Sequence, residues 1–580
     1  GGVHFELVKQ KQKLISAEQN NRILLDSVSI LYRFELFYDC LMGLSIFPSV
    51  FVALLSVFLY RFYWRYYDAT PCSKDSPICI DGDYTFVEAC KLFSTDYTEA
   101  REKFSNAVKR YNSTCYHHEE SDDVNDAAAG KVELLSYPIL PSLTIDIAVL
   151  PGNTQELGTI VHSSGTHGVE GYAGSSIQLA LVELLSSSSC ENFEEEQRRR
   201  PTIVMVHAVN PVGMNEYRRF NENNVDLNRN GIITVSNSDD DDSNDDSNSD
   251  SDSENVYSSF DDFLAKRDPN FAGYDDFHYL FAPDFEKDDY GDHGNLSLYE
   301  TTLGYYAKAI PALAQHGMKA LKRTMVAGQY HRPDGLMYGG REYQTSVRRL
   351  MEFFEEDRPE FFRDSPSLVW IDVHTGLGPF GKDSVLRHSM HEEKKEQEDA
   401  TGSSSSSSSA LPPKIENFLV NAYSVSSGGA KSEADAFKGY GLAEGMLMDF
   451  FAYRFRRVQS RSDARGDNED NNNKNKTSSK SRGIFLLQEF GTLPTILVGR
   501  ALILDNRLYK LRKRLHFANK EKGGQLDKEQ RLLFSYRSPF LNYAFYPQST
   551  EWRREIVQRG VALFMQSMEY SKARFEASRS

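Results

Sequence analysis

Basic charge is what this chain has least of. Its 580 residues hold 83 Asp and Glu against 66 Lys and Arg, a net charge of −17. Without a cationic excess to neutralise phosphates, nucleic acid is excluded as the main partner. The deficit is uneven: Asp239–Glu254 alone carries nine acids and no base, so the rest is only mildly acidic. Cysteine is scarce as well, six in all. Cys72, Cys79, Cys90, Cys115 and Cys190 form an odd set with no metal-type spacing, so no cysteine-based metal module is expected. Cys72 and Cys79 are placed to pair only in a lumenal protein. The same condition applies to Asn112, Asn295 and Asn475 as glycosylation acceptors.

Charge of either sign is absent from Leu41–Tyr60. About twenty such residues span a bilayer as a helix. Arg61, Trp64 and Arg65 follow among tyrosines, an aromatic and basic belt of the kind found at membrane surfaces. The sequence therefore predicts an N-terminal extension over 1–40, a transmembrane helix or signal anchor over 41–60, and a linker over 61–83. Met42 is a candidate start, which would make the run a signal anchor. The arginines after the span favour a cytoplasmic catalytic part, against Arg33 on the other side.

Apolar residues are missing from three further stretches. Residues 236–255 are Ser, Asp and Asn, residues 392–413 carry a poly-Ser tract, and residues 459–482 are charged and Asn-rich. None can bury enough surface to offset the entropy of ordering, so all three are expected as disordered inserts. They interrupt a domain over 84–580. Tyr84–Val108 reads as one or two helices. Strand-like runs follow at Leu143–Val149, Leu157–Val161, Ile203–Val209, Leu368–Val373 and Ile484–Gln488, separated by helical patterns. Such alternation predicts an α/β fold with a mixed, mainly parallel sheet flanked by helices.

The chemistry gathers where those runs end. His167 and Glu170 lie in His162-Ser-Ser-Gly-Thr-His-Gly-Val-Glu-Gly171, between the second strand and a helix over Ala173–Leu185. An imidazole and a carboxylate so spaced can reach one small cation. His117/Glu120 repeats the spacing, but in a polar run with no strand before it. After the third strand come Asn-Pro-Val-Gly213 and then Arg218, Arg219, Asp226, Asn228 and Arg229, a set able to hold a carboxylate. The fourth strand ends in Asp-Val-His374-Thr-Gly, and the fifth in Gln-Glu489-Phe-Gly. Open α/β sheets build their sites at the carboxyl ends of strands.

In this order, His-Gly-Val-Glu, Asn-Pro-Val-Gly, Val-Asp-Leu-Asn-Arg-Asn, Asp-Val-His-Thr-Gly and Gln-Glu-Phe-Gly resemble the zinc carboxypeptidase superfamily. The resemblance is closest to a subgroup catalogued as a domain of unknown function. Phe93–Phe104 and Gln329–Gly340 resemble that subgroup too. The resemblance implies that His167, Glu170 and His374 hold one zinc ion, and that Asp226 orients His167. It implies that Asn228 and Arg229 clamp the substrate's terminal carboxylate, and that Glu489 is general base on the zinc-bound water. The arginine that polarises the scissile carbonyl is Arg219 or its neighbour Arg218; the spacing favours Arg219. Tyr440 matches the superfamily's mobile tyrosine only by spacing. The leading expectation is a metallocarboxypeptidase acting on peptides. A zinc deacylase of N-acyl amino acids uses the same site. A membrane-tethered, non-catalytic binding protein would be expected to have lost a ligand or the base, and every one is present.

Overall fold

The computed structural model describes residues 77–78, 87–115, 132–188, 199–235, 256–284, 296–388, 443–466, 482–521 and 538–579. The span over 41–60, the extension before it, the linker apart from Pro77–Ile78, the inserts 236–255 and 392–413, His117, Glu120 and Tyr440 lie outside these. So do Cys72, Cys79, Cys190, Asn295 and Asn475. Among the described residues no helix is long and apolar enough to cross a membrane.

Seven strands form one sheet: β1 (Glu133–Leu140), β2 (Leu143–Leu150), β3 (Thr159–Ser164), β4 (Thr202–His207), β5 (Ser367–Phe380), β6 (Asp383–His388) and β7 (Arg482–Gly491). Their order across the sheet is β1-β2-β4-β3-β5-β7-β6. The four central strands β4, β3, β5 and β7 are parallel, and the pairings at both edges are antiparallel. The expected α/β fold is thus present, with a mixed sheet whose centre is parallel and whose edges are antiparallel. Within this sheet the strands that sequence reading missed, β1 and β6, are both edge strands; the two-residue pair Pro77–Ile78 and Val87–Glu88 was missed as well. β1 is largely half-buried or exposed, so it lacks the continuous apolar run that marks a central strand.

Alternation sorts each central strand between two helical layers. On one face, Val161, Leu368, Trp370 and Phe485 join Phe353, Phe354, Phe361, Phe362, Phe451 and Phe455 in an aromatic core. Trp370 stacks on Phe451 with ring centroids 4.8 Å apart. On the other face, Gln178 of helix α1 (Gly171–Ser188) donates to the carbonyls of His162 and Val206. Phe564 of the helix Thr550–Arg579 meets His162 there edge-on.

The polar stretch from Gln459 differs from expectation. The helix Leu447–Gly466 runs eight residues into it, and Gln459 donates its side-chain amide to the carbonyls of Phe362 and Ser365. Phe451 and Phe455 seat that helix on the sheet, and once seated a helix extends at little cost. Arg482, at the far end of the same stretch, opens β7.

Candidate metal centre

The aromatic face of β5 reads Leu368, Trp370, Asp372, His374: every second residue, apolar at first and then polar as the strand reaches its carboxyl end. β7 runs parallel beside it with Phe485 facing Trp370 and Glu489 facing His374 in register. The ladder alone therefore places a carboxylate beside an imidazole.

His167 and Glu170 arrive from the turn after β3. Gly168–Glu170 forms a 3-10 turn with His167 as its N-cap. In that geometry side chains three apart eclipse, so imidazole and carboxylate lie side by side. The turn is docked on the chain after β4: Gly168 N–H donates to the Arg219 carbonyl (3.2 Å) and Val169 N–H to that of Arg218 (2.9 Å). A Cβ on Gly168 would sit 2.0 Å from the Gly213 carbonyl carbon, so only glycine permits this docking.

The donor atoms converge. His167 Nδ1 lies 3.0 Å from Glu170 Oε1 and 3.0 Å from His374 Nδ1, and His374 Nδ1 lies 3.4 Å from Glu170 Oε2. Among the described residues this trio is the one cluster of His, Cys, Asp and Glu able to hold a metal ion. It is at most 3% exposed. The outward nitrogen of each imidazole faces a carboxylate: His167 Nε2 lies 3.2 Å from Asp226 Oδ1, and His374 Nε2 2.7 Å from Asp372 Oδ2. Those contacts leave both Nδ1 atoms free to act as ligands.

Burial alone would raise the Glu170 carboxyl, but the charge and hydrogen bonds of His167, the bond from His374 and the charge of Arg219 hold it below the usual carboxylate range. Asp226 is likewise held well down despite burial, by Arg219 and His167. Glu489 moves the other way. Burial, with the negative charge of Glu170 added, pushes it up to about 8, although Leu377 N–H donates to its Oε1 at 2.8 Å. Gly376, at φ 134°, makes room beside it: a Cβ there would come within 2.7 Å of the Phe545 ring.

Residues 93–413, more than half of the chain, match the family described as Protein of unknown function (DUF2817). The chain belongs to that family. No curated protein matches the sequence. Among solved structures, one provisionally named succinylglutamate desuccinylase/aspartoacylase from Shewanella frigidimarina NCIMB 400 is 12% identical with a TM-score of 0.24, covering 67% of this chain and 72% of its own. A second, provisionally assigned to that protein family and from Shewanella amazonensis SB2B, is 13% identical with a TM-score of 0.23, covering 66% and 72%. Overlays so loose decide neither fold nor reaction.

The DUF2817 match holds the trio, Arg219, Asp226, Asn228 and Arg229; Glu489 lies beyond its end. The two adjacent arginines diverge. Arg219 reaches the trio, donating from Nη1 to Glu170 Oε1 (3.2 Å) and from Nε to Asp226 Oδ2 (3.0 Å). Arg218 turns away from it. Its guanidinium is paired with Asp505 (3.2 Å), bonds Asn224, and lies 4.3 Å from the Tyr509 ring centroid. Of the two arginines expected at the substrate, Arg219 lies at the trio and Arg218 is held by Asp505, Asn224 and the Tyr509 ring.

Asn228 Oδ1 accepts a hydrogen bond from Leu447 N–H (3.1 Å). Arg229 donates from Nε and Nη2 to the Val326 carbonyl (3.1 and 2.6 Å), which fixes the plane of its fork. Asp226 caps their short turn by accepting Asn228 N–H while it holds His167, so metal ligand and expected clamp hang on one carboxylate. The Gln329–Gly340 stretch frames this turn: Asp226 N–H donates to the Tyr338 carbonyl and Tyr330 O–H to that of Arg229.

Sequence reading missed Asp372. It accepts hydrogen bonds from Ser163 and Thr166 besides facing His374. The signal was present in Asp-Val-His: on a strand, residues two apart share a face.

Proposed function

We propose that this DUF2817 chain is a zinc-dependent hydrolase that removes C-terminal residues from peptides. The observation that carries the reading is the convergence of two imidazole Nδ1 atoms and one carboxylate, each imidazole backed by a second carboxylate, with Glu489 in register beside them. The donor set fits zinc, which takes mixed N and O ligands, better than calcium or magnesium, which favour oxygen alone. Two imidazole Nδ1 atoms 3.0 Å apart, each with its Nε2 at a carboxylate, also suit a shared cation. When bound there, zinc supplies the Lewis acidity that amide hydrolysis needs.

This chain's residues supply the rest. Glu489 takes the proton of the attacking water and returns it to the leaving nitrogen. The burial that raises its carboxyl makes it a stronger base for taking that proton, and the charges of His374 and Arg219 oppose the rise. Arg219 donates to the carbonyl oxygen as negative charge develops on it. Asn228 and Arg229 hold the terminal carboxylate and so select the last peptide bond. A membrane anchor at 41–60, with the catalytic part on the cytoplasmic side, belongs to the same proposal.

The test is metal content and turnover of the full chain on a peptide, its C-terminal amide and an N-acyl amino acid. Stoichiometric zinc, with cleavage of the free peptide and not of the amide, is expected. Turnover of the N-acyl amino acid alone would make the protein a deacylase. Zinc-free protein, or no turnover of any substrate, would overturn the hydrolase reading.

A further inference from the structure

Away from the metal centre, one helix presents its apolar side outwards. Leu303–Ala327 follows the short helix Leu298–Thr301. Tyr299, Leu303, Tyr306 and Ile310 are 56%, 70%, 48% and 63% exposed. Leu303, Tyr306 and Ile310, spaced three and four apart, lie on one side of the longer helix, and Tyr299 stands on the short helix just before it. Ala307, Pro311, Ala314 and Gln315 are exposed too, and the row ends at Met318. The acid and base within this stretch, Glu300 and Lys308, are paired with each other at 2.8 Å, and Glu300 is buried. Ile496, also exposed, lies one helical turn before Arg500, which donates to the Thr301 carbonyl. Single exposed apolar residues are ordinary, but an uncharged cluster with Leu303, Tyr306 and Ile310 in one helical row, and Tyr299 and Met318 at its two ends, is not.

We infer that this face lies on a zwitterionic lipid bilayer, at the level of the headgroups. Three observations select that occupant. The composition is interfacial: tyrosines with a phenol for the wet side alternate with Leu and Ile for the acyl side. The helix does not suit the hydrocarbon centre, because Pro311 leaves the Ala307 carbonyl without an intrahelical donor and Gly317 breaks the helical backbone at φ 81°. The sequence also carries Leu41–Tyr60, twenty residues without a charge, so a bilayer is the partner the chain itself brings into reach. With a net charge of −17, anionic headgroups would repel the protein as a whole, which favours a neutral lipid and apolar insertion over electrostatic attraction. The inference is independent of the hydrolase reading.

The experiment uses the full chain in phosphatidylcholine vesicles doped with a photoreactive phosphatidylcholine, with adducts mapped by mass spectrometry. Adducts are expected within 299–318, and Leu303→Glu with Ile310→Glu should reduce them by about tenfold or more while adducts within 41–60 and turnover stay unchanged. Both sites are exposed, so the fold should tolerate the change; Leu303→Ser with Ile310→Ser serves if it does not. Adducts confined to 41–60, or unchanged by either pair, would overturn the inference. Cross-links joining this face of one copy to a second copy, without lipid adducts, would overturn it in favour of a dimer.

Discussion

His374 Nε2 stands 2.7 Å from Asp372 Oδ2, two residues back on the same strand. Ser163 and Thr166 donate to the same carboxylate, and Trp370 Nε1–H donates to Ser163 at 2.8 Å, so the contact is tied into the aromatic core. Asp372→Asn keeps the shape but removes the charge that favours Nε2–H on His374. The expected result is a loss of about 10- to 100-fold in zinc affinity, read by chelator competition, with an unchanged circular dichroism spectrum.

Removing the ligands themselves should be more drastic. His167→Ala and His374→Ala are expected to lose the metal while the sheet remains folded, since both side chains belong to the polar cluster and not to the aromatic core. Elemental analysis showing one zinc per chain in both variants would discard the trio as the metal site.

Glu489→Gln separates holding from chemistry. The residue pairs in register with His374 but is not one of the three converging donors. Zinc should be retained and turnover should fall by roughly 10²- to 10⁴-fold, the usual loss when a general base is removed. Unchanged turnover would take Glu489 out of the mechanism.

At Arg229 the readout is selectivity. Arg229→Ala should lower kcat/KM for a peptide with a free carboxylate far more than for its amide. The guanidinium also bonds the Val326 carbonyl, so some loss of stability is expected alongside. Equal loss on both substrates would remove the clamp and the exopeptidase claim together.

Acid should weaken the fold through two interior histidines. Burial lowers His162 and His207 from 6.5 to about 4. Both stay neutral in the folded protein while the unfolded chain takes up protons below about pH 6.5. Their contribution is whole above that pH and is lost as pH falls from 6.5 to 4, on the order of 3 kcal/mol each. His207 lies 3.0 Å from the Ser175 hydroxyl, and His207→Gln should preserve that bond and flatten part of the slope in denaturant titrations at pH 7.5 and 5.

The stretch 236–255 should be dispensable. Val235 N–H donates to the Tyr257 carbonyl at 2.9 Å and Tyr257 N–H to that of Ile233 at 3.0 Å, so the residues on either side already pair. Replacing the stretch by a short glycine link should change stability by less than about 1 kcal/mol in chemical denaturation.

Much of the site was legible because it sits where strands end. His374 and Glu489 stood out as polar residues closing apolar runs, and His167 and Glu170 as a spaced pair in a strand-to-helix turn. Asp372 stood in the same Asp-Val-His motif without being given a role, although its parity with His374 places the two on one face. Spacing alone favoured Arg219 over Arg218, since adjacent residues in an irregular loop have no periodicity, and it is the distant Asp505 that holds Arg218 away from the trio. The edge strands were missed for a related reason. A strand with one pairing partner and a half-exposed face needs no continuous apolar run. The helix over 459–466 was missed because local composition outweighed its continuity with a well-packed helix.

The pairing of β5 with β7 has a bearing on how this protein can vary. His374 and Glu489 are far apart along the chain, but the ladder fixes them opposite each other. The segments that join β6 to the helix Leu447–Gly466, and that helix to β7, can grow, shrink or change composition without moving either group, whereas a slip of one residue in that ladder would turn Glu489 to the far side of the sheet. Whatever the connecting segments have accumulated, the chemistry answers to hydrogen bonds that no side chain makes, and substitutions that loosen β7 should silence the site while leaving every one of its residues in place.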